Sequence, residues 1–302
     1  MSQSHLLTLA DITPAELTAL LALAATLKAE RGNSSFRPLA GKTVALIFSK
    51  ASTRTRVSFE VGIQELGGNP IFLSAADLQL GRGEPMSDTA QVLSRYIHGA
   101  VIRTHAHADI IEFADSASIP VINALTDDYH PCQLLADLQT IAESAGRIEG
   151  VKVAYLGDGA SNMARSWALA AYLSGIDLHI GAPDGYQLDL ADLPDVPQQG
   201  SVTITDDVLA AAADADFVYT DVWVSMGFEA ESQERLQDLQ PYQVNARVMA
   251  AAKPDCKVLH CLPAHRGQEI TADVLDGPQS IIWDEAENRL HAQKAVLAHL
   301  LG

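Results

Sequence analysis

The chain has 302 residues, of which 48% are hydrophobic and 19% are charged. This composition suits two globular domains of ordinary size and argues against a disordered chain. Its formal net charge of −18 argues against general binding to nucleic acid or to an anionic membrane surface. Any phosphate-bearing ligand would therefore need a local cluster of cationic side chains.

Two features of the sequence bear on where the protein works. The apolar stretch Leu17–Leu27 has no basic leader, and Thr13 with Glu16 forms a capping-box pattern ahead of it, so we expect a helix rather than a signal peptide. The three cysteines have no CxxC spacing, which predicts neither a disulfide framework nor a metal site. They are Cys132, Cys256 and Cys261. This usage suits a reducing cytosol, so we expect a cytoplasmic protein without a cysteine-bound zinc ion.

Short apolar runs alternate with amphipathic segments along the chain. The predicted strands of the first half are Thr43–Phe48, Pro70–Leu73, Ala100–Arg103 and Pro120–Asn123. Those of the second half are Lys152–Leu156, Asp177–Ile180, Asp216–Thr220, Lys257–Cys261 and Ser280–Trp283. Helical patterns lie between most of them. This alternation predicts an α/β fold of two similar domains, each a parallel sheet flanked by helices.

The glycine-bounded segment Gly146–Gly150 marks the predicted switch between the two halves. We expect one domain over residues 1–145, a second over 146–285, and a C-terminal helix over 286–302 that returns to the first domain. Ligands of open parallel sheets bind beyond the carboxyl ends of the strands. The sequence therefore predicts an active site in the cleft between the domains.

The stretch Ser52-Thr53-Arg54-Thr55-Arg56 follows a predicted strand and opens a predicted helix. Ser52 is a good N-cap, and a helix N-terminus with hydroxyls and an arginine suits an anion. Arginines in a first turn oppose the helix dipole unless an anion lies there. We expect Arg54 to bind phosphate and Arg56 to pair with an acidic neighbour.

Two further places add polar groups to this predicted site. Arg103 ends a predicted strand, and alone it could equally be a structural ion-pair residue. His130 and Gln133 lie at the mouth of a helix that begins with Pro131, three residues apart and able to share one side of it. Together these residues suit a small phosphorylated carbonyl compound, whose carbonyl oxygen would be polarised by Arg103, His130 and Thr55.

Ser-Thr-Arg-Thr-Arg followed by His-Pro-Cys-Gln resembles the aspartate/ornithine carbamoyltransferase family, and the similarity runs through the whole chain. The resemblance implies a carbamoyl phosphate site. In the first half its residues would be Ser52, Thr53, Arg54, Thr55, Arg103, His130, Pro131, Cys132 and Gln133. It also implies that Gln79, in a polar loop, reaches the active site of a neighbouring subunit in a homotrimer with shared sites.

The second half begins with Gly157-Asp158-Gly159, which invites a dinucleotide-binding interpretation, but Asn162 stands where the third glycine should be. Asn162 opens a predicted helix and could hold a carboxylate. Asp221, at a strand end, could pair with an α-ammonium group. The string Asp-Val-Trp-Val-Ser-Met-Gly resembles the family's ornithine-recognition loop, in which Ser225 and Met226 complete the clamp.

The string His260-Cys261-Leu262-Pro263 resembles a second family motif. There the cysteine lies near the reacting amine and the Cys–Leu backbone contacts the carbamoyl NH₂, so Cys261 is expected to position substrate rather than attack it. A Cys–His nucleophile is disfavoured because adjacent strand residues face opposite ways. Arg289, predicted to lie in the first turn of the C-terminal helix, matches the family's C-terminal arginine and would touch carbamoyl phosphate.

The resemblance implies transfer of a carbamoyl group from carbamoyl phosphate to the side-chain amine of ornithine, as in arginine biosynthesis. Members of the family that carbamoylate aspartate use a lysine in the loop at this place. Residues 74–90 contain no lysine, so aspartate is less favoured as the acceptor. Putrescine and acylated ornithine fit the expected amino-acid clamp less well. An NAD dehydrogenase and a ligand sensor on this fold are the alternatives from other classes. We expect the guanidiniums of Arg54, Arg103 and Arg289 to converge on one pocket.

Overall fold

The computed structural model describes residues 5–74, 84–224 and 232–302. The chain forms two compact units, one built from Met1–Gln139 with Glu287–Gly302 and the other from Thr140–Ala286. Within the described part of the chain, no helix is long and apolar enough to cross a membrane. Each unit is described separately below.

The first unit is built on a four-stranded parallel sheet in the order β2-β1-β3-β4. Its strands are β1 (Thr43–Phe48), β2 (Asn69–Ser74), β3 (Gly99–Arg103) and β4 (Val121–Leu125). The central strands β1 and β3 are almost wholly buried, as expected of a parallel sheet covered on both faces. All four predicted strands of this half are confirmed, within one or two residues at their ends.

Helices connect and cover these strands. They are α1 (Pro14–Ala29), α2 (Thr53–Glu65), α3 (Met86–Leu93), α4 (His107–Ser116) and α5 (Pro131–Ala145). The capping box predicted before α1 is present: the Thr13 side chain accepts from the Glu16 amide, and Glu16 accepts from the Thr13 amide. The helix predicted at Leu17–Leu27 is confirmed as part of α1, and the helix predicted after Pro131 is confirmed as α5.

The second unit contains a five-stranded parallel sheet in the order β7-β6-β5-β8-β9. Its strands are β5 (Lys152–Leu156), β6 (Asp177–Gly181), β7 (Ser201–Thr205), β8 (Phe217–Thr220) and β9 (Lys257–His260). Its helices are α6 (Asn162–Ser174), α7 (Val208–Ala212), α8 (Ser232–Leu239), α9 (Ala246–Ala251) and α10 (Ala272–Leu275), and α11 (Ile282–Leu301) ends the chain. Two parallel sheets flanked by helices confirm the predicted fold class.

Two predictions for the second half are wrong in detail. The predicted strand Ser280–Trp283 is not a strand: Ser280 makes a single bridge with Val258, and α11 begins at Ile282. The strand β7 was not predicted, although Val202 and Ile204 alternate with polar residues in it. A short apolar run such as the one around Ile282 fits the start of a buried helix as well as a strand, so periodicity alone does not tell the helix from the strand.

The glycines after β5 serve packing in this structure. Gly157 has φ +127°, a backbone conformation that favours glycine, and a Cβ there would lie 3.1 Å from Trp223 Nε1. A Cβ on Gly159 would lie 2.8 Å from both Ala182 Cβ and Ile180 Cγ2, and 2.9 Å from a backbone oxygen of Tyr186. Close approach of the loop to its neighbours therefore accounts for the Gly-Asp-Gly string without a nucleotide.

Gly159→Ala should destabilise the second unit, because backbone on one side and buried side chains on the other leave no room for a methyl group. We expect a loss of about 1–3 kcal/mol in the free energy of unfolding, as for other overpacked sites. Urea unfolding of both proteins, followed by circular dichroism, measures it. Equal midpoints and slopes would contradict the packing account.

Candidate active site

The N-terminus of α2 forms the most open part of the candidate site. The Ser52 side chain caps the helix by accepting from the Thr55 amide at 3.3 Å, as predicted. Thr53 and Arg54 are exposed, and the first turn contains no acidic residue. The amides of this turn and the Arg54 side chain thus present positive charge to solvent, which suits a phosphate group.

Arg56 is turned to a structural role, as predicted. Its Nε donates to Glu60 Oε1 at 2.9 Å, one helical turn away, and its guanidinium lies 3.7 Å from the centre of the Phe72 ring. The charge of Arg56 is therefore already matched within the first unit, in contrast to the role predicted for Arg54.

Arg289 enters the same region from α11. Its side chain is buried, with Nη2 donating to Thr55 Oγ1 at 3.0 Å and Nη1 donating to Gln133 Oε1 at 2.6 Å. Gln133 in turn donates to Asp137 Oδ1 at 2.8 Å. Arg289 thus joins two helices whose N-terminal turns carry other predicted site residues.

The predicted position of Arg289 within its helix is wrong. The helix begins at Ile282, so Arg289 lies about two turns inside it rather than in the first turn, and the helix dipole gives no argument for an anion there. What marks Arg289 in the structure is its burial together with its hydrogen bonds to Thr55 and Gln133.

His130 lies at the centre of the positive charge. It is 5% exposed, and burial together with the charges of Arg289, Arg103 and Arg54 holds the pKa of its imidazole well below the ordinary value. The three guanidiniums therefore converge electrostatically on one imidazole, all within the first unit. At neutral pH that imidazole is uncharged and can donate a hydrogen bond without adding another cation.

The two residues after His130 contribute little through their side chains. Pro131 is the first residue of α5. Cys132 is fully buried, its Sγ donates to the Asn123 carbonyl at 3.4 Å, and burial raises the pKa of its thiol to about 12. The Cys132 thiol is thus committed to the core, and only its backbone remains for a ligand.

In the second unit, the site is organised around Asp221, which follows β8. Its Oδ1 accepts from the Cys261 thiol at 2.9 Å and from the Val222 amide at 2.7 Å. Burial raises the pKa of Asp221. Burial and the Asp221 carboxylate raise the pKa of the Cys261 thiol well above its ordinary value, so it stays protonated and is a poor nucleophile.

His260 has hydrogen-bond partners of its own. It ends β9, and Cys261 lies beyond the strand, one residue outside the predicted range. The His260 Nε2 lies 3.0 Å from Glu269 Oε1, and its Nδ1 accepts from the Leu262 amide at 2.9 Å. The opposite-faces argument therefore fails at this strand end: potential metal-ligating atoms of Asp221, His260 and Cys261 lie within 4.8 Å of one another, a grouping that the cysteine spacing did not predict.

Asn162 opens α6, the helix predicted to begin there, and is half-buried beside the Ser161 cap. An ion pair missed by sequence reasoning lies nearby: Arg235 pairs with Asp158 and donates from Nε to the Trp223 carbonyl at 2.8 Å. Little in the sequence indicated this role for Arg235, because Arg235 lies in α8, a short polar helix whose composition is typical of a solvent-exposed surface.

Three predicted site residues, Gln79, Ser225 and Met226, lie outside the described residues. Pro131 and Cys132 follow His130 at the start of α5, and Asn162 opens α6. The remaining predicted site residues fall into two groups. The first unit brings together Ser52, Thr53, Arg54, Thr55, Arg103, His130, Gln133 and Arg289, and the second unit brings Asp221 beside Cys261 and Leu262. Fold and site together define an α/β protein with a cluster of cationic side chains at the carboxyl ends of one parallel sheet and a half-buried pair, Asp221 with Cys261, after another.

Comparison with known proteins agrees with that description. Residues 4–143 match the carbamoyl-P binding domain, and residues 149–300 match the Asp/Orn binding domain, of aspartate/ornithine carbamoyltransferase. The chain is 52% identical to the ornithine carbamoyltransferase of Bacillus subtilis over 301 residues, which cover 98% of this chain and 93% of the relative. The chain therefore belongs to the aspartate/ornithine carbamoyltransferase family.

Solved structures extend the similarity to three dimensions. The ornithine carbamoyltransferase from Pyrococcus furiosus is 48% identical, with a TM-score of 0.93 over 100% of this chain and 98% of that one. The enzyme of the same name from Gloeobacter violaceus is 47% identical, with a TM-score of 0.87 over 99% of each chain.

Arg289→Met should raise the pKa of His130 towards the ordinary value of a histidine. The substitution removes one of the three charges that disfavour the imidazolium, while burial and the other two arginines remain. NMR titration of the His130 ring nitrogens measures the change, with Arg56→Ala as the control because Arg56 pairs with Glu60. A His130 pKa that is the same in Arg289→Met and in the unaltered protein would remove Arg289 from the cluster.

Proposed function

We propose that this protein transfers the carbamoyl group of carbamoyl phosphate to the side-chain amine of L-ornithine, giving L-citrulline and phosphate. The observation that carries the proposal is the convergence of Arg54, Arg103 and Arg289 on a buried, neutral His130 in a protein of net charge −18. Full-length relatives at about half identity that carry the name ornithine carbamoyltransferase support the same reaction.

Carbamoyl phosphate is bound by the first unit. Its phosphate takes the amides and hydroxyls at the start of α2 together with Arg54, which is exposed and lies in a turn without acidic residues. Its carbonyl oxygen takes hydrogen bonds from Arg103, His130 and Thr55. Gln133 and the Pro131–Cys132 backbone complete the set within this unit, and the Gln133 oxygen faces Arg289. The resemblance to the family supports a further contact from the Cys261–Leu262 backbone.

Ornithine is bound by residues of the second unit. Asp221 pairs with its α-ammonium group, and Asn162 holds its carboxylate near the N-terminus of α6. Ser225 and Met226 complete the clamp. Asp221 is half-buried, and a carboxylate whose pKa is raised by desolvation gains most from a cationic partner, which favours an ammonium ligand there.

The reaction is an attack of the neutral ornithine amine on the carbonyl carbon. The tetrahedral intermediate carries negative charge on oxygen, which Arg103, His130, Thr55 and Arg289 stabilise as an oxyanion hole does. The carbon–oxygen bond to phosphate then breaks, and the departing phosphate takes the proton of the amine. Cys261 positions substrate and forms no covalent bond, because its thiol is held protonated beside Asp221. The chemistry needs no metal, nucleotide or other cofactor.

The setting of this reaction is also proposed. Citrulline formation belongs to arginine biosynthesis, and three cysteines without pairing motifs suit the reducing cytoplasm. The resemblance to the family supports a homotrimer in which Gln79 of one subunit serves the site of its neighbour. Sedimentation equilibrium tests the trimer, and a mass of one subunit across micromolar concentrations would overturn it.

The decisive assay compares ornithine, aspartate and putrescine as acceptors with carbamoyl phosphate as donor. We expect citrulline from ornithine, with kcat/KM for ornithine at least tenfold above that for the other two. Each competing acceptor lacks either the side-chain amine or the α-amino-acid group, and a missing polar contact of this kind costs about 1–3 kcal/mol. Faster carbamoylation of aspartate or putrescine would overturn the substrate assignment.

Arg54→Ala should weaken carbamoyl phosphate binding by about 10- to 100-fold, the loss typical of a charge-assisted hydrogen bond. Steady-state KM for carbamoyl phosphate measures the effect. Arg56→Ala is a matched control, since its guanidinium is held by Glu60 and Phe72 two residues away. Equal losses in both variants would show that the helix, rather than Arg54, binds the phosphate.

Turnover at subsaturating ornithine should climb about tenfold per pH unit from pH 7 towards mildly alkaline pH. The free side-chain amine has a pKa of about 10.4, so its neutral fraction grows in this way. His130 stays neutral throughout because its pKa lies below the ordinary value, and it adds no inflection. A flat or falling profile over this range would count against direct attack by the amine.

A further inference from the structure

Three loops at the carboxyl ends of strands carry the cationic site of the first unit. We call them the strand-end loops: residues 49–52 after β1, residues 104–106 after β3, and residues 126–130 after β4. Arg103 precedes the second loop, His130 ends the third, and the first leads into the helix turn with Arg54. The geometry of the site therefore depends on how these loops are held against one another.

Backbone hydrogen bonds connect the loops in pairs. The Ser49 amide donates to the Arg103 carbonyl at 2.8 Å, which ties the first loop to the last residue of β3, just before the second loop. The Asp127 amide donates to the His105 carbonyl at 2.9 Å, which ties the third loop to the second. The first and third loops are joined by side chains, through an ion pair between Lys50 Nζ and Asp127 Oδ1.

The two side chains of that ion pair differ in burial. The Lys50 side chain is 4% exposed, whereas the Asp127 side chain is 47% exposed. A buried ammonium needs a hydrogen-bonded carboxylate, so Asp127 holds Lys50 in place, and with it the loop that leads to Arg54. The second carboxylate oxygen of Asp127 lies 3.9 Å from His105 Nδ1. Asp127 therefore meets groups from both of the other loops.

We propose that Asp127 is a positioning residue for carbamoyl phosphate, which sets the strand-end loops so that Arg54 and His130 face one ligand. The proposal rests on the proposed function and adds to it a residue outside the binding set. Asp127 acts through Lys50 and through the His105 backbone, without contact to substrate. Small displacements of binding groups cost much affinity and rate, so loosening this junction should be visible in carbamoyl phosphate kinetics.

The sign of the effect separates positioning from simple electrostatics. Asp127 is an anion close to an anion site, so by charge alone Asp127→Asn should tighten phosphate binding. Positioning predicts the reverse, because the substitution weakens the hold on Lys50. If Lys50 instead contacted phosphate directly, Lys50→Met would weaken binding and Asp127→Asn would strengthen it.

The experiment measures KM and kcat for carbamoyl phosphate, and the dissociation constant of inorganic phosphate by calorimetry, in full-length Lys50→Met, Asp127→Asn and the double variant. We expect KM and the phosphate dissociation constant to rise about 10- to 100-fold in each single variant. The double variant should bind phosphate about as tightly as the weaker-binding single variant, because both substitutions break the same connection. KM for ornithine should change less than twofold.

Glu65→Gln is the matched control. It breaks an ion pair of the same kind in the same unit, between Glu65 and Lys294 at 2.7 Å, with side chains 28% and 5% exposed. We expect it to lower the melting temperature without changing phosphate binding more than twofold. If Asp127→Asn does not fold, Lys50→Met, whose remaining partner Asp127 is half exposed, still allows the role of Asp127 to be overturned, because phosphate binding equal to that of the unaltered protein would exclude the connection.

The outcomes separate the two levels of inference. Unaltered protein that neither binds phosphate nor uses carbamoyl phosphate would overturn the proposed function. Unaltered protein that does both, with Asp127→Asn binding phosphate as tightly or more tightly, would overturn the role of Asp127 alone. Phosphate binding in Lys50→Met equal to that of unaltered protein, or equal losses in Glu65→Gln and Asp127→Asn, would also overturn it.

Discussion

The site depends on holding three guanidiniums near one buried imidazole. Like charges repel, and burying them costs free energy unless each finds hydrogen-bond partners. The structure meets this cost for Arg289 with Thr55 and Gln133, and it keeps His130 neutral so that no fourth cation is added. An anionic ligand would relieve the remaining repulsion between the guanidinium groups, so the cluster favours binding of phosphate. Because the chain has a net charge of −18, the positive charge is confined to this cluster and is not a property of the whole protein.

The charge of the site in the second unit is the opposite one, a carboxylate rather than a group of guanidiniums. Asp221 is half-buried, desolvation raises its pKa, and its nearest side-chain partner among the described residues is the Cys261 thiol, which is itself held protonated. By contrast, the neighbouring Asp158 has Arg235 as its partner. A carboxylate left with a neutral partner suits an incoming ammonium group, whereas one already paired with arginine does not. This difference between Asp158 and Asp221 supports the role proposed for Asp221.

The sequence predicted the parts of this molecule that local chemistry determines. Buried parallel strands such as β1 and β5 read as uninterrupted apolar runs, and the caps of α1 and α2 rest on residues within one turn of each other. The pairing of Arg56 with an acidic neighbour was also predicted, and the structure shows that this neighbour is Glu60, one turn away. The predicted carbonyl-binding and ornithine-binding roles stay predictions, because no ligand tests them.

Other features escaped because they depend on distant parts of the chain. Ser280–Trp283 looked like a strand, although Asp284 and Glu285 in the next residues are typical of a helix first turn, and that error misplaced Arg289 within its helix. Glu269 holds His260 from an irregular loop, and Asp127 holds Lys50 across 77 residues, so neither partner has a sequence pattern. Pairing across such distances becomes visible only when the sheet brings strand ends together.

A crystal structure with a non-hydrolysable phosphonate analogue of carbamoyl phosphate tests the central claim most directly. The account predicts the phosphonate at the N-terminus of α2 against Arg54, with the carbonyl oxygen within hydrogen-bonding distance of Arg103 and His130. An analogue bound elsewhere, or a phosphonate held away from all three arginines, would contradict it.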